Sequence, residues 1–254
     1  MDTRPFLLAE TTFAEVKGTS YHVAVLPWGA TEAHNYHLPY GTDNVECDHI
    51  ASESARLAWQ QGAKVIVLPT IPFGVNTGQL DIPLDMNMNP STQAAVLRDV
   101  ADSLVRAGIP KLVILNGHGG NDFRQMIREL SQHVGLFLCT LDWYTCVDPA
   151  EFFEESGDHA GELETSVMLH IVPDLVRPLE EAGPGTARTF TITALRERWA
   201  WSQRQWTRVT TDTGVGNPKK SSPVKGKKYF EAVTRKIASF LVELARTNVS
   251  DMYA

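Results

Sequence analysis

The sequence predicts an α/β protein, a three-layer α/β/α sandwich with a mainly parallel sheet. Three observations predict it. Short runs rich in Val, Ile and Leu alternate with longer segments of helical periodicity. The short runs show little apolar–polar alternation, as expected of parallel strands buried on both faces. Strand–helix–strand repetition then covers both faces of such a sheet with helices.

The elements follow in order. HVAVLP (22–27) is the first strand, and a polar loop leads from it into a helix over 44–61. KVIVLP (64–69) is the second strand and is followed by a long loop. Pro90-Ser91 opens a helix over 91–107, which Gly108 and Pro110 stop. KLVILN (111–116) is the third strand, 122–132 a third helix, and GLFLCTL (135–141) the fourth strand. No repeat, low-complexity tract or long linker divides the chain, and 254 residues can bury a sizeable core, so one domain over 1–254 is expected. The stretch 183–222, with Trp199, Trp201 and Trp206 among polar residues, reads as a lid or a subunit contact rather than core.

Composition narrows the class. At 43% hydrophobic and 21% charged residues the chain belongs with folded proteins, not disordered ones. A net charge of −7 disfavours nucleic-acid and anionic-membrane partners. The local basic run of Lys219, Lys220, Lys225, Lys227 and Lys228 reads as a solvated lead-in to the last helix rather than a phosphate site. Three cysteines, Cys47, Cys139 and Cys146, form no Cys-x-x-Cys pair, which points to a reducing compartment. The opening MDTRPFLLAETTF lacks the apolar core of a signal peptide, and no stretch approaches the ~18 apolar residues of a membrane span. A cytoplasmic protein is expected.

The chemistry is concentrated in the loops that follow the strands, where open parallel sheets bind their ligands. PWGATEAHNYHLPYGTD follows the first strand, NGHGGND the third, and GDHAGELETS lies a short segment after the fourth. They hold Glu32, His34, His37, Asp43, His118, His159, Glu162 and Glu164, including four of the eight histidines. Glu32 and His34, two apart at an extended strand end, should point the same way. Asp43 returns to the same rim after a Pro–Gly turn. His159 and Glu162, three apart at a probable helix start, should share a face. Imidazole and carboxylate donors without thiolates suit zinc or manganese. Charge agrees with two ions: Glu32, Asp43 and Glu162 supply three negative charges, two divalent ions four positive ones, and a bridging hydroxide the last negative charge. A lone Glu-x-His would be surface polarity, and a lone Gly-His-Gly-Gly-Asn a tight turn; together at strand ends they read as a metal site. His22, His49, His133 and His170 lie in strand or helix patterns and read as structural. Glu164-Thr165-Ser166 reads as a helix start and packing element.

At these residues the chain resembles the creatininase family. Gly29-Ala30-Thr31-Glu32-Ala33-His34-Asn35-Tyr36-His37-Leu38-Pro39-Tyr40-Gly41-Thr42-Asp43 matches that family's first loop, Asn116-Gly117-His118-Gly119-Gly120-Asn121 its Asn-Gly-His loop, and His159-Ala160-Gly161-Glu162-Leu163-Glu164-Thr165-Ser166 its third motif. Gly214-Val215-Gly216-Asn217-Pro218 and Lys225-Gly226 are a weaker echo. The resemblance spans roughly 27–226. It implies an α/β/α fold assembled as a homo-oligomer, usually a hexamer, with two divalent ions, Zn and/or Mn, in each subunit. It puts Glu32 and His118 on one ion, His34 and Glu162 on the other, and Asp43 between them. It makes His159 the catalytic histidine, donating a proton to a leaving nitrogen after attack of the bridging hydroxide on a polarised carbonyl.

The departures bear on substrate. The true creatininases within the family carry a Tyr-Glu pair after Asn-Gly-His, where this chain has Gly119-Gly120, and a Trp-Asp pair before the histidine, where it has Glu155-Ser156. The stretch after the second strand is Gly74-Val75-Asn76-Thr77-Gly78-Gln79-Leu80-Asp81-Ile82-Pro83 instead of the usual form. Creatinine is therefore not the expected substrate. The expectation is hydrolysis of a C–N bond other than an ordinary peptide bond in a small-molecule amide: a cyclic amide, a formamide or a small peptide. Tyr36, Asn76, Gln79, Asp81, Trp143 and Tyr144 are candidates to line its pocket. Two other readings are a non-catalytic metal-binding oligomeric scaffold and a two-metal phosphoesterase; the motif loops contain no lysine clamp for the latter.

Overall fold

A parallel sheet is the centre of the computed structural model, which describes residues 4–132 and 135–253. Its strands are β1 (Val23–Trp28), β2 (Val65–Val67), β3 (Lys111–Asn116) and β4 (Phe137–Asp142), in the order β2-β1-β3-β4. Every pairing is parallel; Ala24 lies opposite Leu112, for example, and Asn116 opposite Asp142. β1 and β3 are buried along their whole length, whereas β4 forms an edge and is only partly covered.

The helices are α1 (Phe13–Lys17), α2 (Thr42–Gln60), α3 (Pro90–Arg106), α4 (Arg124–Leu130), α5 (Glu162–Ile171), α6 (Thr193–Arg196), α7 (Trp206–Val209) and α8 (Pro223–Arg246). The two-residue period of each strand sorts its side chains into two cores. Val23, Val25, Val65, Val67, Val113 and Leu115 face α2 and α8, packing with Ile50, Ala55, Tyr229, Val233 and Ile237. Ala24, Leu26, Trp28, Ile66, Leu112 and Ile114 face α3 and α4, packing with Leu97, Ala101, Met126 and Leu130. The expected three-layer sandwich is present.

Sequence signals located the elements to within a few residues. Pro90 occupies the first helical position of α3, where its missing N–H costs nothing. Lys111 at the start of β3 is buried and donates to the Leu244 and Thr247 carbonyls, satisfying the C-terminal end of α8. Among the described residues no helix is long and apolar enough to cross a membrane. The expected structural role of His133 lies outside the described residues.

Two features differ from the sequence reading. A second, two-stranded antiparallel sheet pairs β5 (Gly157–His159) with β6 (Val215–Gly216). Strands this short and glycine-rich leave no periodic pattern to read. His159 therefore ends a strand, and α5 begins only at Glu162, so the two do not share a helix face. In the basic run Lys219, Lys220, Lys227 and Lys228 are exposed as expected, with Lys220 paired to Glu154 and Glu155, and only Lys225 is half-buried, paired to Glu154 and Glu162.

Candidate metal centre

The carboxyl ends of the strands deliver the centre. Glu32 and His34 sit in the loop after β1, Asp43 in the first turn of α2, and His118 in the loop after β3. His159 ends β5, and Glu164 lies in the first turn of α5. Their donor atoms form three overlapping trios, each within 4.8 Å: Glu32, His34, His159; Glu32, Asp43, His118; and His34, Asp43, Glu164. All are buried except Glu164, which is half-buried.

Backbone carbonyls orient the three imidazoles. His34 Nδ1 lies 3.0 Å from the Glu32 carbonyl, His118 Nε2 3.1 Å from the Val75 carbonyl, and His159 Nε2 2.8 Å from the Ala33 carbonyl. A carbonyl only accepts, so each of these nitrogens carries its hydrogen and donates. The remaining nitrogens turn toward carboxylates. His34 Nε2 is 2.9 Å from Asp43 Oδ1, and His118 Nδ1 is 2.9 Å from Glu32 Oε1 and 3.2 Å from Asp43 Oδ2. His159 Nδ1 stands 3.7 Å from Glu32 Oε1.

The electrostatics are those of a cluster short of positive charge. Burial would raise the Glu32 carboxyl, but His118, His159 and His34 overcome it and hold that group below the usual carboxylate range. Burial would lower His34, yet Asp43 pushes it up to about 10. His118 is likewise raised against burial by Glu32 and Asp43. Neither His34 Nε2 nor Asp43 Oδ2 has a partner in hydrogen-bond geometry among the described residues. Buried anions and imidazole lone pairs that meet at one point fit divalent cations, which would replace the protons these histidines otherwise gather.

Loops hold the centre through side-chain amides. Asn116 Oδ1 accepts from the His118 and Asn121 side of its own loop, and Asn121 Oδ1 accepts from the Val75 N–H and Gln93. Asn35, in the left-handed region at φ 55, joins the first loop to Gly183 and Thr213. The stretch 183–222 thereby packs onto the metal loop. Its Trp206 is buried and meets the His159 ring edge-on, with centroids 5.3 Å apart.

A cavity of about 660 Å³ opens from the cluster. Segments within 148–158 and 201–206 contribute to its walls, as do Asn76, Gln79 and Tyr144. Trp201, 83% exposed, stands at its edge.

Several expected site residues are placed elsewhere. Glu162 is not in the cluster: its carboxylate accepts from the Glu154 and Glu155 N–H groups at 2.9 and 2.7 Å and pairs with Lys225. Glu164, read from sequence as a packing element, takes the position facing His34 and Asp43 and accepts from the Ala160 N–H. Trp143 is 1% exposed and packs on Tyr144 and Tyr229 in the core, because the 3-10 turn after β4 aims it inward. Tyr36 is 62% exposed on the outer surface, with its hydroxyl on the Thr211 carbonyl. Asp81 is bound by Thr207. Arg204 was not anticipated, and Trp206, read only as part of a lid or subunit contact, is buried against His159; nothing in their local sequence signals a return to the sheet end. Arg204 stacks 4.4 Å above the Trp206 ring and pairs with Asp158.

Fold and site together define a class: an α/β protein with a buried histidine–carboxylate centre at the carboxyl end of a parallel sheet. Known proteins place it further. The family model Creatininase, described as creatinine amidohydrolase, matches residues 9–241. A Bacteroides fragilis protein provisionally described as a creatinine amidohydrolase is 42% identical, with a TM-score of 0.92 over 97% of this chain and 98% of that one. The mycofactocin precursor peptide peptidase of Mycobacterium tuberculosis (strain H37Rv) is 27% identical over 237 residues, 89% of this chain and 86% of the relative. A manganese creatininase, 24% identical with a TM-score of 0.74 over 95% of this chain and 99% of that one, shares the fold. The chain belongs to the creatininase family of hydrolases.

Proposed function

We propose that the protein is a binuclear metal-dependent amidohydrolase that cleaves a C–N amide bond in a short peptide or an amide of similar size. One observation carries this reading: three buried imidazoles, each anchored through one nitrogen on a backbone carbonyl, present the other nitrogen to a set of carboxylates. That arrangement is how proteins orient histidine for metals. Glu32, Asp43 and His118 would hold one ion, and His34, Asp43 and Glu164 the other, with Asp43 shared. Donors limited to nitrogen and oxygen favour zinc or manganese. When bound, two such ions supply a polarised carbonyl and a water acidic enough to attack at neutral pH.

The chain's own groups complete the chemistry. His159 donates through Nε2 to Ala33, so Nδ1 is the atom that takes up a proton and passes it to the leaving nitrogen. Trp206 limits rotation of that ring and shields one side of it from water. The walls of 148–158 and 201–206 surround a volume suited to a ligand well beyond a single small heterocycle. This size, with Gly119-Gly120 where the creatinine-cleaving relatives carry Tyr-Glu, supports a peptide-like substrate over creatinine; the peptidase relative agrees.

The test is elemental analysis of purified protein beside Glu32→Ala and His118→Ala, followed by a short-peptide and amide panel scored by release of free amine. Close to two ions per chain, falling by at least one in each variant, with turnover of at least one amide by the wild type, is the expected result. Metal without turnover on a broad panel would favour a binding scaffold, and protein that takes up no zinc or manganese would sink the mechanism.

A further inference from the structure

We infer that Gln79 is a positioning residue that orients the Glu32 carboxylate, held in place through Gly78 by residues 203–206. The last torsion of a glutamate is broad and roughly two-fold, so a carboxylate plane is set by its partners rather than by its rotamer. Glu32 has a partner on each oxygen: His118 Nδ1 at 2.9 Å from Oε1, and the Gln79 side-chain amide on Oε2. A carboxylate only accepts, so Gln79 presents its Nε2 there, and its Oε1 is left buried without a partner among the described residues. Gln79 is 6% exposed and lines the cavity. Its backbone is fixed by consecutive turns, with Gln79 N donating to the Asn76 carbonyl and Ile82 N to the Gln79 carbonyl, both at 2.9 Å.

The neighbouring residue ties this turn to the cavity wall. The Trp206 N–H donates to the Gly78 carbonyl at 2.9 Å, and Thr207 donates to Asp81. A Cβ on Gly78 would lie 2.2 Å from the Arg204 carbonyl oxygen and 2.4 Å from Gln203 Nε2, so the contact exists only with glycine. Trp206 meanwhile contacts His159. One small junction, 78–79 against 203–206, therefore supports both Glu32 and His159. The stretch read from sequence as a lid is a brace of the centre as well as its wall.

The inference rests on the proposal that Glu32 binds metal. Its test is calorimetric Mn²⁺ titration of full-length, metal-stripped protein, with the melting temperature of each metal-free variant recorded alongside. Gln79→Met keeps the volume and removes the donor; Gln79→Asn keeps the amide one methylene short of Glu32. Both are expected to bind Mn²⁺ about 10–100-fold more weakly, the usual effect of losing a partner that orients a ligand, with metal-free melting close to wild type. Gly78→Ala, which alters no side chain of the centre, should weaken binding in the same direction. Wild type that binds Mn²⁺ beside Gln79 variants that bind it within twofold would overturn this inference alone. Wild type that binds none would overturn it together with the metal reading.

Discussion

Glu162 and Lys225 form an ion pair across the start of α5 and the first turn of α8, with the Glu154 and Glu155 N–H groups on the other carboxylate oxygen. This pairing fastens the 148–158 wall of the cavity and leaves Glu164 to face His34 and Asp43. The two glutamates should then separate cleanly. Glu164→Gln is expected to lose about one of two bound ions by elemental analysis, and Glu162→Gln to retain both. Metal loss in Glu162→Gln with none in Glu164→Gln would reverse the assignment.

His159 should matter for turnover and little for metal. Replacement by Asn removes the atom proposed to carry the proton and should lower kcat by about 10²–10⁴-fold, the usual range for a general acid–base group. Metal content measured on the same sample should stay near wild type. A variant that loses both together would instead make His159 a ligand, in the group it forms with Glu32 and His34.

Stability should fall in acid through His37. Its ring is buried, with Nε2 2.8 Å from Thr165 Oγ1 and Nδ1 without a hydrogen-bond partner among the described residues. Burial first, and the His34 charge second, push it down to about 4 from 6.5. Between these values the unfolded chain holds a proton that the folded chain refuses. The contribution is complete above about pH 6.5 and is lost as pH falls toward 4, up to about 3 kcal/mol. Urea midpoints taken across this window should drop less for His37→Asn than for wild type; equal drops would assign the acid sensitivity to other groups.

Gly226 sets how closely α8 approaches α5. A Cβ there would lie 1.8 Å from the Ser166 carbonyl oxygen and 2.9 Å from the Val167 nitrogen. Gly226→Ala must push the helices apart, at a cost of about 1–3 kcal/mol. A lowered melting temperature should accompany weaker metal uptake, because α5 carries Glu164. An unchanged melting temperature would mean that the helices can slide without loss.

Much of this protein was legible before any coordinate. The apolar runs marked β1 to β4, since strands buried on both faces admit almost nothing else, and the Pro90 and Gly108 signals bounded α3. The strand-end rule brought Glu32, His34, Asp43, His118 and His159 to one place before their distances were known. The wall of 201–206, the β5–β6 pairing and the seat of Trp143 were not legible, because each depends on a contact between segments far apart in the chain.

The choice between Glu162 and Glu164 marks the boundary. Sequence alone determined the donor types, the order of the loops and the end of the sheet at which they gather. It could not determine which glutamate serves the centre. Two residues apart on a helix are separated by about 200° of rotation, so only one of the pair can face His34 and Asp43. The roll of α5 decides which, and that roll is set by Gly226 against Ser166 and by Lys225 against Glu162, partners some sixty residues further along the chain.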